Sequence, residues 1–499
     1  MDFDLALEQV GEFGRHQKRI FLIVSLISLP LASQMLIVVF VGAVPEWKCT
    51  SPSGDTLHCK SSADPLCCDK DGSICRGGEF STGITSIATE WNLVCGNRYK
   101  IELSQSIFVA GYMFGVLIFG ILSDKYGRRR PWLFAYTVGG ILGLMTGFVR
   151  TYKEYIALRF IFGALKGGGG LITYVLSTES IGPSYRGTAG IWQQAFYPFC
   201  YVVLALEAYI IRDWRTLTVI SILPTLMVLL IFRSIPESPR WLLSQGRVKE
   251  AEAIVRKIKE ENGYGNGELI FLKMESKRAI AQGNNCKYGT IDLFTHKSVR
   301  VITIIMMLSW CVNSMVYYGL ALNVKNLEGN LYLNFALSSL IELPSFASTQ
   351  FLLSRLGRRL SLFVLLLAAC FSCFLCAFLQ FYGGQNVTAI SITALGGRFC
   401  ISASYAVLYV YSAELFPTVA RNAGMAISSF SARVGGMVAP FIVLMGDHHI
   451  SLPMFVFACT ALFAGIAGLK LHETQGKRMP QTFSDLEEIH SRKASTNGN

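Results

Sequence analysis

The chain has 499 residues, of which 52% are hydrophobic and only 16% are charged, and its formal net charge is +12 at pH 7. Soluble domains carry about 25% charged residues, so this composition excludes a soluble fold. It predicts an all-α membrane protein, because helices satisfy their own backbone polar groups in lipid. The positive charge does not indicate nucleic-acid binding, since the basic residues lie in short segments between apolar runs, as membrane topology requires.

Twelve apolar runs, each long enough to cross a bilayer, predict twelve transmembrane helices divided six and six. The first half, predicted over 20–235, holds runs near 20–44, 101–122, 132–150, 155–178, 188–211 and 215–235. The second half, predicted over 301–471, holds runs near 301–322, 331–353, 360–382, 388–412, 422–446 and 451–471. The bilayer is therefore a predicted partner along most of the chain.

Three polar segments flank or separate these halves. Residues 1–19 form a predicted cytoplasmic N-terminus, in which the helical spacing of Phe3, Leu7 and Val10 favours a position on the inner membrane surface. Residues 236–300 predict cytoplasmic linker helices packed under the bundle, and they are too short for a separate catalytic domain. Residues 472–499 predict a polar cytoplasmic tail.

The loop at 43–100 contains six of the 14 cysteines. An even number of cysteines in one polar loop predicts disulfides in an oxidising compartment, and six cysteines leave 15 connectivities open. A zinc site is the less favoured alternative, because the loop has no paired C-x-x-C motifs. The disulfide candidates are Cys49, Cys59, Cys67, Cys68, Cys75 and Cys95.

Short basic segments set the predicted orientation. They follow the second and the eighth spans and contain Arg128, Arg129, Arg358 and Arg359. Basic loops stay on the cytoplasmic side, so both termini are predicted to be cytoplasmic and the cysteine-rich loop extracellular. The single N-x-S/T sequence begins at Asn386 in a predicted extracellular loop, which makes Asn386 a predicted glycosylation site.

The two halves repeat each other. The sequence "SDKYGRR" at 123–129 matches "LSRLGRR" at 353–359, and a glutamate–arginine pair seven residues apart occurs at Glu179/Arg186 and again at Glu414/Arg421. Repeats in the same order and topology predict two six-helix halves related by an axis along the membrane normal, with the substrate bound between them near the midplane.

These motifs resemble a known family. The segment "GILSDKYGRRR" at 120–130 is similar to the loop signature of the major facilitator superfamily. The segments "PESPRWL", "YYGLAL" and "ELFPTVARNAG", with the long cysteine-rich loop, resemble solute carrier family 22, the organic cation, zwitterion and anion transporters, and in particular its member 15 branch. The resemblance implies the major facilitator fold and transport by alternating access.

The charged repeats resemble the superfamily's cytoplasmic gate, whose ion pairs hold one state and break in the other. A static topology anchor is the alternative. The predicted gate residues are Asp124, Arg128, Arg129, Arg159, Glu179, Arg186, Arg358, Arg359, Arg398, Glu414 and Arg421.

Two charges at membrane depth define the predicted substrate site. Arg433 lies near the middle of the eleventh span, where a full charge needs a partner, a water-filled cavity or a ligand. The resemblance implies a carboxylate contact there, because anion and carnitine-type relatives carry arginine. Glu342 in the eighth span resembles the acid of the cation and carnitine branches, so the pair suits a zwitterion. Alternatively, Glu342 and Arg433 pair with each other across the halves.

Aromatic side chains are candidate walls for a quaternary ammonium group, and Lys166 and Gln194 are further candidate contacts. The predicted substrate-binding residues are Arg433, Glu342, Lys166, Tyr197, Gln194, Tyr317, Tyr318 and Phe346. No Walker loop, nucleophile triad or metal motif is present, so neither an enzyme nor a cofactor is expected. The sequence thus predicts a plasma-membrane secondary transporter of carnitine- or betaine-like cations and zwitterions, with Na⁺ or H⁺ as a candidate coupling ion. The alternatives are an organic anion transporter and a non-transporting receptor of the same fold.

Overall fold

The computed structural model describes residues 7–50, 56–59, 68, 76–80, 83–231, 234–264, 291–327, 329–382, 386–417, 419–476 and 480. The helices before the central insert are α1 (Arg15–Ser33), α2 (Val38–Val41), α3 (Ile87–Glu90), α4 (Tyr99–Tyr126), α5 (Arg129–Thr146), α6 (Tyr152–Glu179), α7 (Pro183–Ile210), α8 (Trp214–Ile222) and α9 (Val228–Ile231). The insert contains α10 (Pro239–Ser244), α11 (Val248–Asn262) and α12 (Asp292–Thr295). The helices after it are α13 (Lys297–Asn323), α14 (Leu331–Leu340), α15 (Glu342–Phe381), α16 (Val387–Leu415), α17 (Arg421–Leu444) and α18 (Leu452–Gly468).

The twelve predicted spans are helical in the part of the chain that the structure describes. Eight stretches there are long and apolar enough to cross a membrane. One of them, Leu331–Phe381, contains two predicted spans, because the backbone of α15 leaves the helical conformation at Gly357. The remaining three predicted spans are α5, α7 and α18.

Contacts divide the chain into two compact units. The first unit comprises Met1–Gly42, Thr82–Trp91 and Ile107–Asn285. The second comprises Ala43–Ser81, Asn92–Ser106 and Cys286–Asn499. The break between the units therefore falls inside α4, whose first two turns belong to the second unit and whose remainder belongs to the first.

Glycines bring α4 and α6 together inside the first unit. A Cβ atom added at Gly111 or Gly115 would overlap a carbonyl oxygen of α6, and one added at Gly163 or Gly167 would overlap a carbonyl oxygen of α4. Small residues that allow two backbones to touch are how membrane helices associate without a hydrophobic driving force. The α4–α6 contact is therefore a fixed packing surface.

Gly163→Ala is expected to lower the thermal unfolding temperature of the purified protein, because its Cβ would meet the Phe108 carbonyl oxygen and force the two backbones apart. Overpacking of this kind costs about 1–3 kcal/mol. Gly170→Ala in the same helix is the matched control, since its Cβ would meet only the Tyr112 hydroxyl at an ordinary 3.7 Å. Equal unfolding temperatures for the two variants would contradict the packing described.

The cysteine-rich segment forms a three-stranded antiparallel sheet in the order β2-β1-β3, with β1 at Trp47–Thr50, β2 at Thr56–Cys59 and β3 at Arg76–Phe80. Trp47 is buried beneath it. A disulfide joins Cys68 to Cys95, and Cys59 is also disulfide-bonded. The disulfide prediction is confirmed for these three cysteines; the side chains of Cys49, Cys67 and Cys75 lie outside the described residues.

The N-terminal segment packs on protein, so the prediction that it lies on the membrane surface is wrong. Leu7 and Val10 are both 0% exposed and belong to one apolar cluster with Trp241 of α10 and Val255 of α11. The Asn262 amide closes this contact, because its nitrogen donates to the Val10 carbonyl (2.8 Å) and its oxygen accepts from a backbone N–H (3.0 Å). Phe3 lies outside the described residues.

Candidate functional site

A buried ion pair lies at the centre of the second unit. The Arg398 guanidinium on α16 donates to the carboxylate of Glu342, the first residue of α15. Arg398 is 1% exposed and Glu342 is 2% exposed. Arg398 comes 11 residues after Val387, the first residue of α16, which places it roughly 16 Å along the helix. The pair therefore lies well inside the apolar span.

Tyr317 of α13 contacts both members of this pair. Its hydroxyl donates to the two carboxylate oxygens of Glu342 (3.1 and 3.0 Å), and its backbone carbonyl accepts from Arg398. The Arg398 guanidinium also lies 3.7 Å from the centre of the Tyr317 ring. A buried ion pair is stable only when further hydrogen bonds satisfy it, and Tyr317 supplies them to both partners.

This geometry corrects two predictions. Glu342 pairs with Arg398 rather than with Arg433, and both Glu342 and Arg433 belong to the second unit, so a pair between them across the halves is excluded. Arg398 was expected at a cytoplasmic gate, but its side chain is committed to the intramembrane acid. The negative charge of Glu342 is accordingly balanced inside the unit.

Arg433 lies half-buried near the middle of α17. The neighbouring positions fix this helix against α13, since the Ser431 hydroxyl donates to the Met307 carbonyl (2.7 Å) and Gly435 closely approaches the Cys311 carbonyl. Ser431 and Gly435 are four residues apart and share one helix face, whereas Arg433 is two residues from each and points to the opposite side. The α13 contact thus leaves the guanidinium on another face.

An aromatic cluster borders the ion pair. Tyr317 packs edge-on against Tyr318, with ring centres 5.2 Å apart, and lies 5.6 Å from Tyr405 of α16. Trp310 packs edge-on against Tyr405 and Tyr409. Sequence reasoning found Tyr317 and Tyr318 and missed the other three. Their spacing was the available signal, since positions seven or four apart lie on one helix face.

The other predicted contacts are divided between the units. Phe346 is half-buried on α15 in the second unit. Lys166, Gln194 and Tyr197 belong to the first unit, where Gln194 and Tyr197 are half-buried on α7. The buried Lys166 ammonium lies 3.5 Å from the Ala32 carbonyl oxygen and 5.6 and 5.7 Å from the ring centres of Phe108 and Tyr112.

Arg159 is also far from the cytoplasmic end where the gate prediction placed it. It precedes Glu179 by 20 residues in α6, roughly 30 Å along the helix. Its buried guanidinium donates to the Gln34 carbonyl (3.4 Å) and lies 4.2 Å from the centre of the Phe108 ring. The gate prediction is therefore wrong for Arg159, as it is for Arg398.

The remaining gate candidates form a charged cluster in the first unit. Arg128 pairs with Asp124 (2.9 Å) and with Glu179 (3.3 Å). The Glu237 carboxylate accepts from the backbone N–H groups of Arg128 and Arg129. The chain turns here at Gly127 with φ +93°, a conformation that only glycine adopts easily.

The second unit repeats this cluster. Arg358 pairs with Glu414 (2.9 Å), and the Glu473 carboxylate accepts from the backbone N–H groups of Arg358 (2.8 Å) and Arg359 (3.0 Å), beside a turn at Gly357 with φ +80°. Burial opposes ionisation of Glu473, but these N–H donors outweigh it and hold the pKa of the carboxyl below its usual value.

The predicted repeat is thus visible atom by atom, and each of these ion pairs lies within one unit. They join the inner helix ends of each half, as the topology-anchor alternative expects, while a gate role stays a prediction. Arg421 begins α17, and the side chain of Arg186 lies outside the described residues.

Two clusters related by an internal repeat, at the ends of twelve apolar helices, define a membrane transporter of the major facilitator fold. The solved structure of the inward-open xylose transporter XylE from E. coli shares this fold with a TM-score of 0.68 and 18% identity, covering 95% of this chain and 99% of that one. Residues 81–485 match the sugar (and other) transporter family.

Two curated relatives refine this assignment. Solute carrier family 22 member 15-like of Xenopus laevis is 35% identical over 98% of this chain and 96% of its own length. Organic cation/carnitine transporter 4 of Arabidopsis thaliana is 36% identical over 96% of this chain and 90% of its own length. The chain belongs to the sugar (and other) transporter family and, within it, to solute carrier family 22; it is a multi-pass membrane transporter and not an enzyme.

Proposed function

We propose that the chain is a plasma-membrane secondary transporter of small organic cations and zwitterions of the carnitine or betaine kind, working by alternating access with both termini in the cytoplasm. The observation that carries the proposal is the grouping of Glu342, Arg398 and Arg433 with the tyrosines of α13 in the second unit. The names of its relatives, which include organic cation and carnitine transporters, support the same substrate class.

The chemistry of these groups suits a guest with opposite charges. The formal charges of Glu342, Arg398 and Arg433 sum to −1 + 1 + 1 = +1, so a guest carboxylate adds favourably next to them. The planar guanidinium of Arg433 matches a carboxylate at two points. Tyrosine faces attract a quaternary ammonium group by cation–π contact, and Tyr317 and Tyr318 supply such faces.

A transporter of organic anions is the second candidate, and the net positive charge of these three residues is the observation that favours it. A substrate panel separates the two. A simple quaternary ammonium ion, a betaine and a monocarboxylate are offered to cells that express the chain, with and without a sodium gradient and a proton gradient.

Betaine uptake well above the monocarboxylate is the expected result, and the gradient that raises it identifies the coupling ion. Uptake of the monocarboxylate alone would establish the anion transporter instead. Binding at the surface without accumulation in any arm would indicate a receptor of the same fold.

A further inference from the structure

Helix α4 is held in two physically different ways along its length. From Ile107 onward it belongs to the first unit, where Gly111 and Gly115 press its backbone against α6. Its first turns, up to Ser106, belong to the second unit. Close backbone packing between glycines has no alternative partner in water or lipid, so the inner part of α4 stays with α6 throughout.

The first turns of α4 are held by polar contacts instead. Arg98 pairs with Asp447, Glu102 pairs with Lys325, and the Ser106 hydroxyl donates to the Met437 carbonyl (2.8 Å). Arg98, Glu102 and Ser106 recur every four residues, so they form one stripe along the helix. Their partners lie where α13 and α17 end, at the predicted extracellular side.

The burial of these charges makes the contact strong when closed and reversible when opened. The Glu102 side chain is 1% exposed, and those of Arg98, Lys325 and Asp447 are at most 16% exposed. Removing one partner of such a pair strands a charge in a medium of low dielectric constant. If the surfaces separate, however, water hydrates all four charges at once, so the ion pairs can break and re-form.

We propose that Arg98, Glu102 and Ser106, with Asp447, Lys325 and Met437, form an extracellular latch that closes this side of the transporter and breaks once in each transport cycle. The proposal rests on the proposed function, since a receptor that moves no substrate has no need to open this surface. Lys325 is the only basic residue in the predicted extracellular loops after the seventh and ninth spans, and the latch assigns it a task.

The test measures how often the latch opens, without any substrate. A cysteine introduced as Met437→Cys lies on the closed surface, and a membrane-impermeant thiol reagent added from outside modifies it only after α4 separates. The same protein without this cysteine gives the background from the native thiols. In the Met437→Cys protein, Glu102→Gln and Lys325→Gln are each expected to raise the modification rate roughly tenfold, a change equivalent to about 1.4 kcal/mol.

The exchange Glu102→Lys with Lys325→Glu restores an ion pair and is expected to return the rate close to its starting value. Glu90→Gln is the matched control, because Glu90 pairs with Arg215 near the same side but both residues belong to the first unit. Its modification rate should not change. If the exchanged protein does not reach the surface, the pair Glu102→Gln with Lys325→Met is used, and it must react as fast as the single variants.

Modification rates for Glu102→Gln and Lys325→Gln equal to that of the Glu90→Gln control would overturn the latch. Because the assay needs no substrate, the two proposals fail separately. Faster modification with no uptake of any substrate leaves the latch standing and removes the proposed function. Normal uptake with unchanged modification rates removes the latch alone.

Discussion

Arg398→Met is expected to remove most of the folded protein from the membrane, the largest effect that the structure implies for a single substitution. It leaves the Glu342 carboxylate charged at a position that is 2% exposed, with Tyr317 as its one remaining described hydrogen-bond donor. Breaking a buried ion pair from one side destabilises by about 3–5 kcal/mol. Surface expression and the thermal unfolding of detergent-purified protein measure the loss.

The double variant Glu342→Gln/Arg398→Met distinguishes the ion pair from the loss of any arginine. Replacing both members of a buried pair is often close to neutral, so most of the folded protein should return. The exposed Arg355→Met variant controls for the substitution itself. A double variant as unstable as Arg398→Met would show that the two charges do not depend on each other.

Arg433→Gln is expected to lower the uptake efficiency, kcat/KM, for betaine and other carboxylate-bearing substrates by roughly 100-fold, about 2.7 kcal/mol of lost interaction with a charged group. A simple quaternary ammonium ion lacks the carboxylate, so its uptake should change little. Arg433→Lys keeps the charge but loses the two-point fork, and an intermediate value is expected. Initial rates of uptake over a range of substrate concentrations give all three numbers.

The control for this experiment is Arg355→Gln, which removes one positive charge from an exposed position of α15 and should leave both substrates unaffected. Equal losses for the betaine and the ammonium ion in Arg433→Gln would mean that the arginine holds the structure together. The substrate assignment would then lose its carboxylate contact.

The twelve spans and the internal repeat were predictable because their signals are local. Span length and hydropathy follow from bilayer thickness, and the matching turns at Gly127 and Gly357 sit in motifs that are visible in the sequence. The Arg128–Glu179 and Arg358–Glu414 pairs then repeat the same contact in each half. Local patterns therefore carried the architecture.

Partner choice between distant residues was not predictable in the same way. Glu342 was correctly identified as an intramembrane acid, but its partner lies 56 residues further along the chain, and only the packing of α15 against α16 brings the two together. Arg398 was placed at a helix entrance although it lies 11 residues inside α16. Counting its depth from the start of the span would have identified it as an intramembrane charge.

Periodicity likewise shows that a helix face is apolar without showing what covers it. Leu7 and Val10 have the spacing of a membrane-surface helix, yet they pack against α10 and α11. The burial of Glu102 beside Lys325 had no signal at all in the sequence, because it depends on two helix ends that are 223 residues apart.

The central claim is that this chain itself carries a zwitterion across the bilayer by alternating access, and counterflow tests it most directly. The purified protein is reconstituted into liposomes loaded with unlabelled betaine, and a trace of labelled betaine is added outside without any ion gradient. Alternating access predicts a transient accumulation of label inside, which is absent from protein-free liposomes and from liposomes loaded with buffer alone. Label that binds to the liposomes but never accumulates inside them would contradict the account.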